Sequence, residues 1–335
     1  MRSTIIGIRT IFAIAPFALF LLTVSCTSIN PTYDETEEYR RKLWQQCSTL
    51  SNLSIPQEKN TEFYNYASGI LQGEHPPVKH LAGTIPSGPY SLFVHIFLPE
   101  TNITGSVFVF HGYATDSSHY GRLASELLTM GLATILIDLP GHGLSTGTRG
   151  DAWPGFYIYG DSVNNTITNL SPYLPRPYYA IGHSTGGLAL IDYSMRYKTQ
   201  IEKIVLFAPL MKLPYQGILT SVRTITSIFA HSYRAFARTK LGLRVFPFTW
   251  LDYFVIWQKK LEKTPHIDMP STLLILAAKD NVVDNDYSKK KLRNKIDTIY
   301  IITEKNADHF ELDSGAPDED VMADIKGFLS DTISP

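Results

Sequence analysis

The sequence predicts an α/β fold: a mostly parallel, doubly wound sheet that carries a helical cap insertion. Three observations predict it. From Tyr90 onward, short apolar runs alternate with helical stretches, as a sheet built from βαβ units requires. The runs in the middle of the chain are almost continuously apolar, as strands buried on both faces should be. Near the centre, Ile181-Gly182-His183-Ser184-Thr185-Gly186-Gly187 sets a glycine-flanked serine between such a run and a helix.

The first residues read as a targeting segment rather than as part of the fold. Arg2 and Arg9 make a positive start, Ile11 to Val24 is apolar apart from Pro16, and Thr23-Val24-Ser25-Cys26 closes the run. It is shorter than the roughly 20 apolar residues of a membrane-spanning helix, and is read as a signal peptide over residues 1–25. The ending resembles a bacterial lipoprotein signal, in which the cysteine is lipidated. Ser25 fits that pattern, and Thr23 departs from the leucine usual three places before the cysteine. Ordinary secretion by cleavage near Ser25, or retention as an anchor, are the alternatives. Thr27 lacks the acidic character that marks inner-membrane retention, which favours an envelope location at the outer membrane. Cys47 is the other cysteine; it is a lone thiol if Cys26 is lipidated, and a Cys26–Cys47 disulfide is conceivable if it is not.

Residues 26–80 read as a tether with a helical extension. The acid-then-base order of Asp34-Glu35-Thr36-Glu37-Glu38 and Arg40-Arg41-Lys42 suits a helix beginning near Asp34, and Thr61 to Leu71 suits a second. Residues 81–209 and 271–335 supply the sheet. Ser91 to Phe97 alternates and reads as an outer antiparallel strand. Ser106–Phe110, Ala133–Ile137, Tyr178–Ile181, Lys203–Phe207, Thr272–Leu276 and Thr298–Ile302 follow as strands, with helices at Tyr120–Met130, Tyr159–Tyr173, Gly187–Tyr197 and Val321–Ser330. Residues 210–270 have no strand rhythm and form the cap. Phe229, Tyr233, Phe236, Phe246, Phe248, Trp250, Tyr253, Phe254 and Trp257 fall in it. Most of these rings should form the cap's own small core, and the excess suggests an apolar acyl pocket.

Gly182, Ser184 and Gly186 make the G-x-S-x-G pattern, a turn so tight that side chains beside the serine would collide. A serine hydroxyl needs a base to take its proton, and the base needs a carboxylate to hold its tautomer. On this fold the partners follow in the order Ser, Asp, His, each after a strand. Asp280 follows the run ending at Leu276, and His309 follows the last strand. Asp284 and Asp286 begin a lysine-rich helix and read as caps. His95 is placed on an edge strand, His183 under the turn, and His111 as a residue that fixes its loop. Oxyanion donors are expected from the backbone amides of Thr185 and Tyr113, which leaves the Tyr113 side chain free to line the pocket.

His111-Gly112, Asp138-x-x-Gly141-His142-Gly143-x-Ser145, Gly147-Thr148-Arg149-Gly150, Gly182-His183-Ser184-x-Gly186-Gly187, Asp280-x-Val282-Val283-Asp284 and Asp308-His309 stand in one order. Together they resemble the α/β-hydrolase superfamily, and within it the monoacylglycerol lipase and lysophospholipase (serine aminopeptidase S33-like) branch. The resemblance runs from about Val107 to Leu329. It implies esterase or lipase activity on a glycerol ester or lysophospholipid, with no metal or organic cofactor. It also implies a triad of Ser184, Asp280 and His309, with Tyr113 and Thr185 as the oxyanion hole. Thr185 stands where that branch has methionine, and Ala277-Ala278 where it has His-Gly.

The composition gives a net charge of −1, with 18% charged and 44% hydrophobic residues. That offers no electrostatic argument for nucleic acid or an anionic surface as partner. The expected partners are a lipid ester substrate and, through Cys26, a membrane. A peptidase or thioesterase on the same triad is the second enzymatic reading. Asp252 and Glu262 are the acidic residues between Leu210 and Pro265, few for holding a peptide amine. An inactive envelope scaffold is the non-enzymatic alternative, and no H-E-x-x-H or paired Cys/His spacing suggests a metal.

Overall fold

The computed structural model describes residues 35–47, 61–100, 102–214, 216–217, 220, 232–234, 241–243, 245–315 and 317–332. The signal segment, Cys26 and the cap rings Phe229 and Phe236 lie outside the described residues. No described helix is long and apolar enough to cross a membrane.

Eight strands form one sheet: β1 (Val78–Ser87), β2 (Tyr90–Pro99), β3 (Gly105–Phe110), β4 (Leu132–Ile137), β5 (Tyr178–His183), β6 (Lys203–Phe207), β9 (Ser271–Ala277) and β10 (Ile299–Glu304). Their order is β1-β2-β4-β3-β5-β6-β9-β10. β2 runs antiparallel to β1 and β4, and every later pairing is parallel. Every residue of β3 and β4 is buried, which is why both runs read as continuously apolar. β1 was not foreseen, and it makes β2 an interior strand. His95 is therefore fully buried, not on an edge, and its Nδ1 lies 3.0 Å from Nε2 of His80 on β1.

The connections carry helices α3 (Gly121–Thr129), α4 (Tyr157–Leu170) and α5 (Thr185–Arg196), with α7 (Asn285–Arg293) and α8 (Glu319–Leu329) near the end of the chain. The chain steps from β3 to β4 in one direction and from β4 past β3 to β5 in the other. Right-handed crossovers then place α3 on one face and α4 and α5 on the other. This reversal leaves a crevice at the carboxyl ends of β3 and β5, where open α/β sheets bind ligands.

Two N-terminal helices, α1 (Glu35–Cys47) and α2 (Glu62–Ser68), cover the antiparallel end. Leu43, Phe63 and Ala67 pack there with Phe93 of β2, Leu144 and the cap residue Leu241. Thr61 caps α2 by accepting from Tyr64 N at 3.0 Å.

The described part of the cap is a short hairpin, β7 (Ser232–Arg234) and β8 (Val245–Pro247), followed by α6 (Phe248–Lys263). Trp250, Phe254 and Trp257 are buried, but they do not form a separate small core. They join the main core, where Trp250 and Phe254 meet Phe156 just before α4 at ring distances of 5.1 and 5.7 Å. Burying each such ring contributes about 1.5–3 kcal/mol, so these rings fasten α6 to the body. The Trp257 indole also donates to Asp192 Oδ1 on α5 at 3.0 Å. Arg196 holds the other oxygen of that buried carboxylate and reaches Asp161 on α4.

Candidate active site

Ser184 sits between the end of β5 and the start of α5 with φ 50° and ψ −109°, a conformation costly for a residue with a Cβ. The surroundings pin it. Ser184 N donates to Phe207 O at 3.0 Å, and its carbonyl accepts from Leu188 N at 3.0 Å and Leu210 N at 2.9 Å. The glycines are required by close approach. A Cβ on Gly186 would lie 2.0 Å from Phe110 O, and one on Gly182 would lie 2.6 Å from the backbone of Gly186.

Three of the expected residues, distant in sequence, come together. His309 Nε2 lies 3.0 Å from Ser184 Oγ, and His309 Nδ1 lies 2.8 Å from Asp280 Oδ2. Both the imidazole and the carboxylate are almost wholly buried. Asp280 Oδ1 accepts from Val282 N at 2.7 Å and Val283 N at 3.0 Å, so the loop's own amides orient the acid. That assigns the His309 proton to Nδ1 and leaves Nε2 to accept from Ser184. Asp284 is not part of this line: it caps α7 by accepting from Tyr287 N and pairs with Lys212 at 2.9 Å.

The loop after β3 closes the other side. A Cβ on Gly112 would be 3.4 Å from Ser184 Cβ, so the loop passes directly over the serine. Gly112 N donates to Tyr120 Oη at 3.0 Å, which makes the Tyr113 amide the next one available along the loop. Thr185 is the first residue of α5, where helix amides have no intrahelical acceptor. The Tyr113 side chain, expected to be free, is committed: its hydroxyl donates to Gly150 O at 2.7 Å, and its ring lies 4.5 Å from that of Trp250. His111 fixes the loop as expected, with Nε2 accepting from Leu139 N at 2.9 Å. Burial holds this imidazole neutral, lowered to about 4. Asp138, at the end of β4, accepts from Ser117 N and Leu144 N. Burial, reinforced by Asp116, pushes its carboxyl up to about 7.

Two connections had no sequence signal. His183 does more than pack under the turn. Its Nδ1 lies 2.6 Å from Tyr120 Oη and its Nε2 lies 2.7 Å from the His309 carbonyl, which ties the Gly112 loop to the loop that carries the base. Arg149 ties the cap to the body through Leu241 O at 2.6 Å, Gly141 O at 3.1 Å and the Glu37 carboxylate at 3.0 Å.

Comparison with known proteins agrees with this architecture. Residues 101–245 match the family model described as serine aminopeptidase, S33. The chain is 30% identical over 124 residues to a monoacylglycerol lipase of Mycolicibacterium smegmatis. It is 28% identical over 122 residues to a monoglyceride lipase homolog of monkeypox virus. Each match covers 36% of this chain and 44% of the relative, so the chain spans less than half the length of the curated relatives it matches. Among solved structures, the Paleococcus ferrophilus monoacylglycerol lipase superposes with a TM-score of 0.59 at 20% identity, covering 72% of this chain and 99% of that one. A soluble variant of Saccharomyces cerevisiae monoglyceride lipase superposes with 0.58 at 16% identity, covering 79% and 97%.

Proposed function

We propose that this chain is a serine hydrolase of the α/β-hydrolase superfamily that cleaves carboxylic esters of amphiphilic lipids such as monoacylglycerols or lysophospholipids, a reading supported by the family-model match and the shared fold. The observation that carries the reading is the hydrogen-bonded line from Ser184 Oγ through His309 to Asp280, which begins at a serine with a positive φ. Ser184 Oγ attacks the ester carbonyl while His309 Nε2 takes its proton. Asp280 holds the imidazole in the required tautomer and stabilises the imidazolium. The amides of Tyr113 and Thr185 receive the oxyanion, a contribution typically of about 3–4 kcal/mol per donor. His309 then protonates the leaving alcohol, and water, activated by the same imidazole, releases the acid.

The names of the relatives support the lipid class. The Cys26 signal supports attachment to a bacterial envelope through an N-terminal lipid anchor, the outer membrane favoured. The peptidase reading is supported by the S33 description, but α6 carries just two acids, Asp252 and Glu262, and Glu262 is already paired with Lys291 and Tyr287.

The test is hydrolysis of p-nitrophenyl esters from acetate to palmitate, with a monoacylglycerol, a lysophospholipid and a proline amide alongside, for wild type and Ser184→Ala. Ester turnover that favours longer chains and vanishes in Ser184→Ala bears the proposal out. Turnover of the amide alone transfers the chain to the peptidases, and activity surviving in Ser184→Ala removes the nucleophile.

A further inference from the structure

Ester hydrolysis leaves one mostly buried charge without a task. Arg149 sets its guanidinium among backbone carbonyls: Nη1 donates to Gly141 O at 3.1 Å and Gly143 O at 3.2 Å, and Nη2 to Leu241 O at 2.6 Å. Its counter-charge comes from outside the sheet, from Glu37 of α1, whose Oε1 lies 3.0 Å from Arg149 Nε. Arg40 holds the other oxygen of that carboxylate at 2.9 Å. α1 precedes residues 101–245, the part that matches the family model, so its role is not carried over from the relatives. Packing accounts for Leu43, which sits in an apolar cluster with Leu144 and Leu241. It does not account for the guanidinium beside that cluster, because a charge taken from water needs a partner.

Two routes lead from Arg149 to the loop over Ser184. The first is short: Gly150, the next residue, accepts from the Tyr113 hydroxyl at 2.7 Å. The second runs through the cap. Arg149 holds Leu241, and two residues on, Leu243 N donates to Ala114 O at 3.4 Å. Leu241 and Leu243 are both buried, so this stretch lies against the body. Tyr113 and Ala114 are thus gripped from two directions, and they need it. Ala114 has φ 64°, a conformation that a residue with a Cβ keeps only where its neighbours impose it. Tyr113 carries the proposed oxyanion amide, and a misplacement of about 1 Å at such a group can cost about a hundredfold in rate.

We propose that Glu37 and Arg149 are positioning residues for ester hydrolysis: the pair fastens cap residues 241–243 to the body and, through them and Gly150, sets the Tyr113 amide beside Ser184. The proposal rests on the serine-hydrolase reading for the part that amide plays. Without Glu37 the guanidinium keeps its charge but loses its carboxylate, and water becomes its best partner. Leu241 O then loses its donor, and the grip on Ala114 loosens. An oxyanion forms only on the way to the transition state, so kcat and kcat/KM should fall together while KM holds.

The test compares the full chain with Glu37→Ala, Glu37→Gln and Arg149→Ala, in p-nitrophenyl ester kinetics and in hydrogen exchange read by mass spectrometry. Glu37→Ala should lower kcat about tenfold at unchanged KM, and weaken by the same factor a trifluoromethyl ketone, which forms an oxyanion on the serine. Glu37→Gln keeps an acceptor for Arg149 and should lower kcat only about threefold. In Arg149→Ala, added guanidinium ion should restore part of the lost rate. Amide exchange over residues 112–115 and 241–243 should quicken about tenfold in Glu37→Ala and stay unchanged over β5 and α5. If Arg149→Ala fails to fold, Glu37→Ala, at a partly exposed helix position, decides. Unchanged exchange in those two segments overturns the proposal, as does a loss confined to KM or a quickening spread evenly over the chain. Exchange needs no turnover, so a parent chain that hydrolyses nothing removes the hydrolase reading alone, and exchange still decides the coupling.

Discussion

Replacing Asp280 with asparagine should cripple the enzyme for a reason that the loop geometry makes specific. Asp280 Oδ1 accepts from the amides of Val282 and Val283, while Oδ2 accepts from His309 Nδ1. In Asp280→Asn the side-chain carbonyl must keep facing the two amides, because the opposite orientation sets donor against donor. The carboxamide NH2 then points at His309 Nδ1, which has to accept. The imidazole proton moves to Nε2, and the base can no longer take the proton of Ser184. A wrong tautomer of this kind lowers kcat by about four orders of magnitude, or roughly 5.4 kcal/mol at 1.36 kcal/mol per decade. Asp284→Asn is the matched control. It keeps a good capping residue and loses an ion pair with Lys212 whose partners are 28% and 39% exposed, so kcat/KM should change less than about threefold. The assay is steady-state hydrolysis of a short-chain p-nitrophenyl ester, with circular dichroism to verify folding. Asp280→Asn within tenfold of wild type, or Asp284→Asn as the more damaging change, would refute the reasoning.

Three further outcomes are expected. Ser184→Gly should be more stable than Ser184→Ala by about 1 kcal/mol in urea denaturation, because both lack the hydroxyl and only glycine relieves φ 50°; equal stabilities would mean the turn is unstrained. Trp257→Phe should cost about 1–3 kcal/mol by removing the indole N–H from buried Asp192, and no loss in denaturation would show the bond contributes nothing. Burial, followed by the neighbouring His80, lowers His95 well below the usual histidine range, so the native state keeps it neutral while the unfolded chain binds a proton near pH 6.5. The stability tied to this neutrality is complete above pH 6.5 and is lost as pH falls, by about 1.4 kcal/mol per unit. His95→Phe should flatten the stability–pH curve by that slope between pH 6 and 5, and parallel curves for variant and wild type would contradict it.

Much of the sheet was legible because burial on both faces leaves a plain signature: β3, β4, β6 and β9 read as apolar runs and lie within two residues of their expected limits. β1 was not legible. Its residues Val78-Lys79-His80-Leu81 mix polar and apolar types, and it is a strand because it pairs with β2 over ten residues. That pairing is a property of the partner as much as of the segment. It also converts β2 from an edge into an interior strand and so buries His95.

At the candidate site the legible part was what local backbone geometry demands. A sharp strand-to-helix turn needs its glycines, and a loop carboxylate can be identified by the strand it follows. Side-chain partnerships across the fold had no such signal. Nothing local distinguishes His183, which bridges Tyr120 and the His309 carbonyl, from a histidine that merely fills space. The cap rings were misread for a related reason. Composition counts aromatic residues without telling which way a helix faces, and α6 turns Trp250, Phe254 and Trp257 toward the body. The side chains it leaves exposed are Thr249, Ile256, Lys259, Lys260, Glu262 and Lys263, so its outer surface is mostly polar and its rings serve to hold the helix to the body.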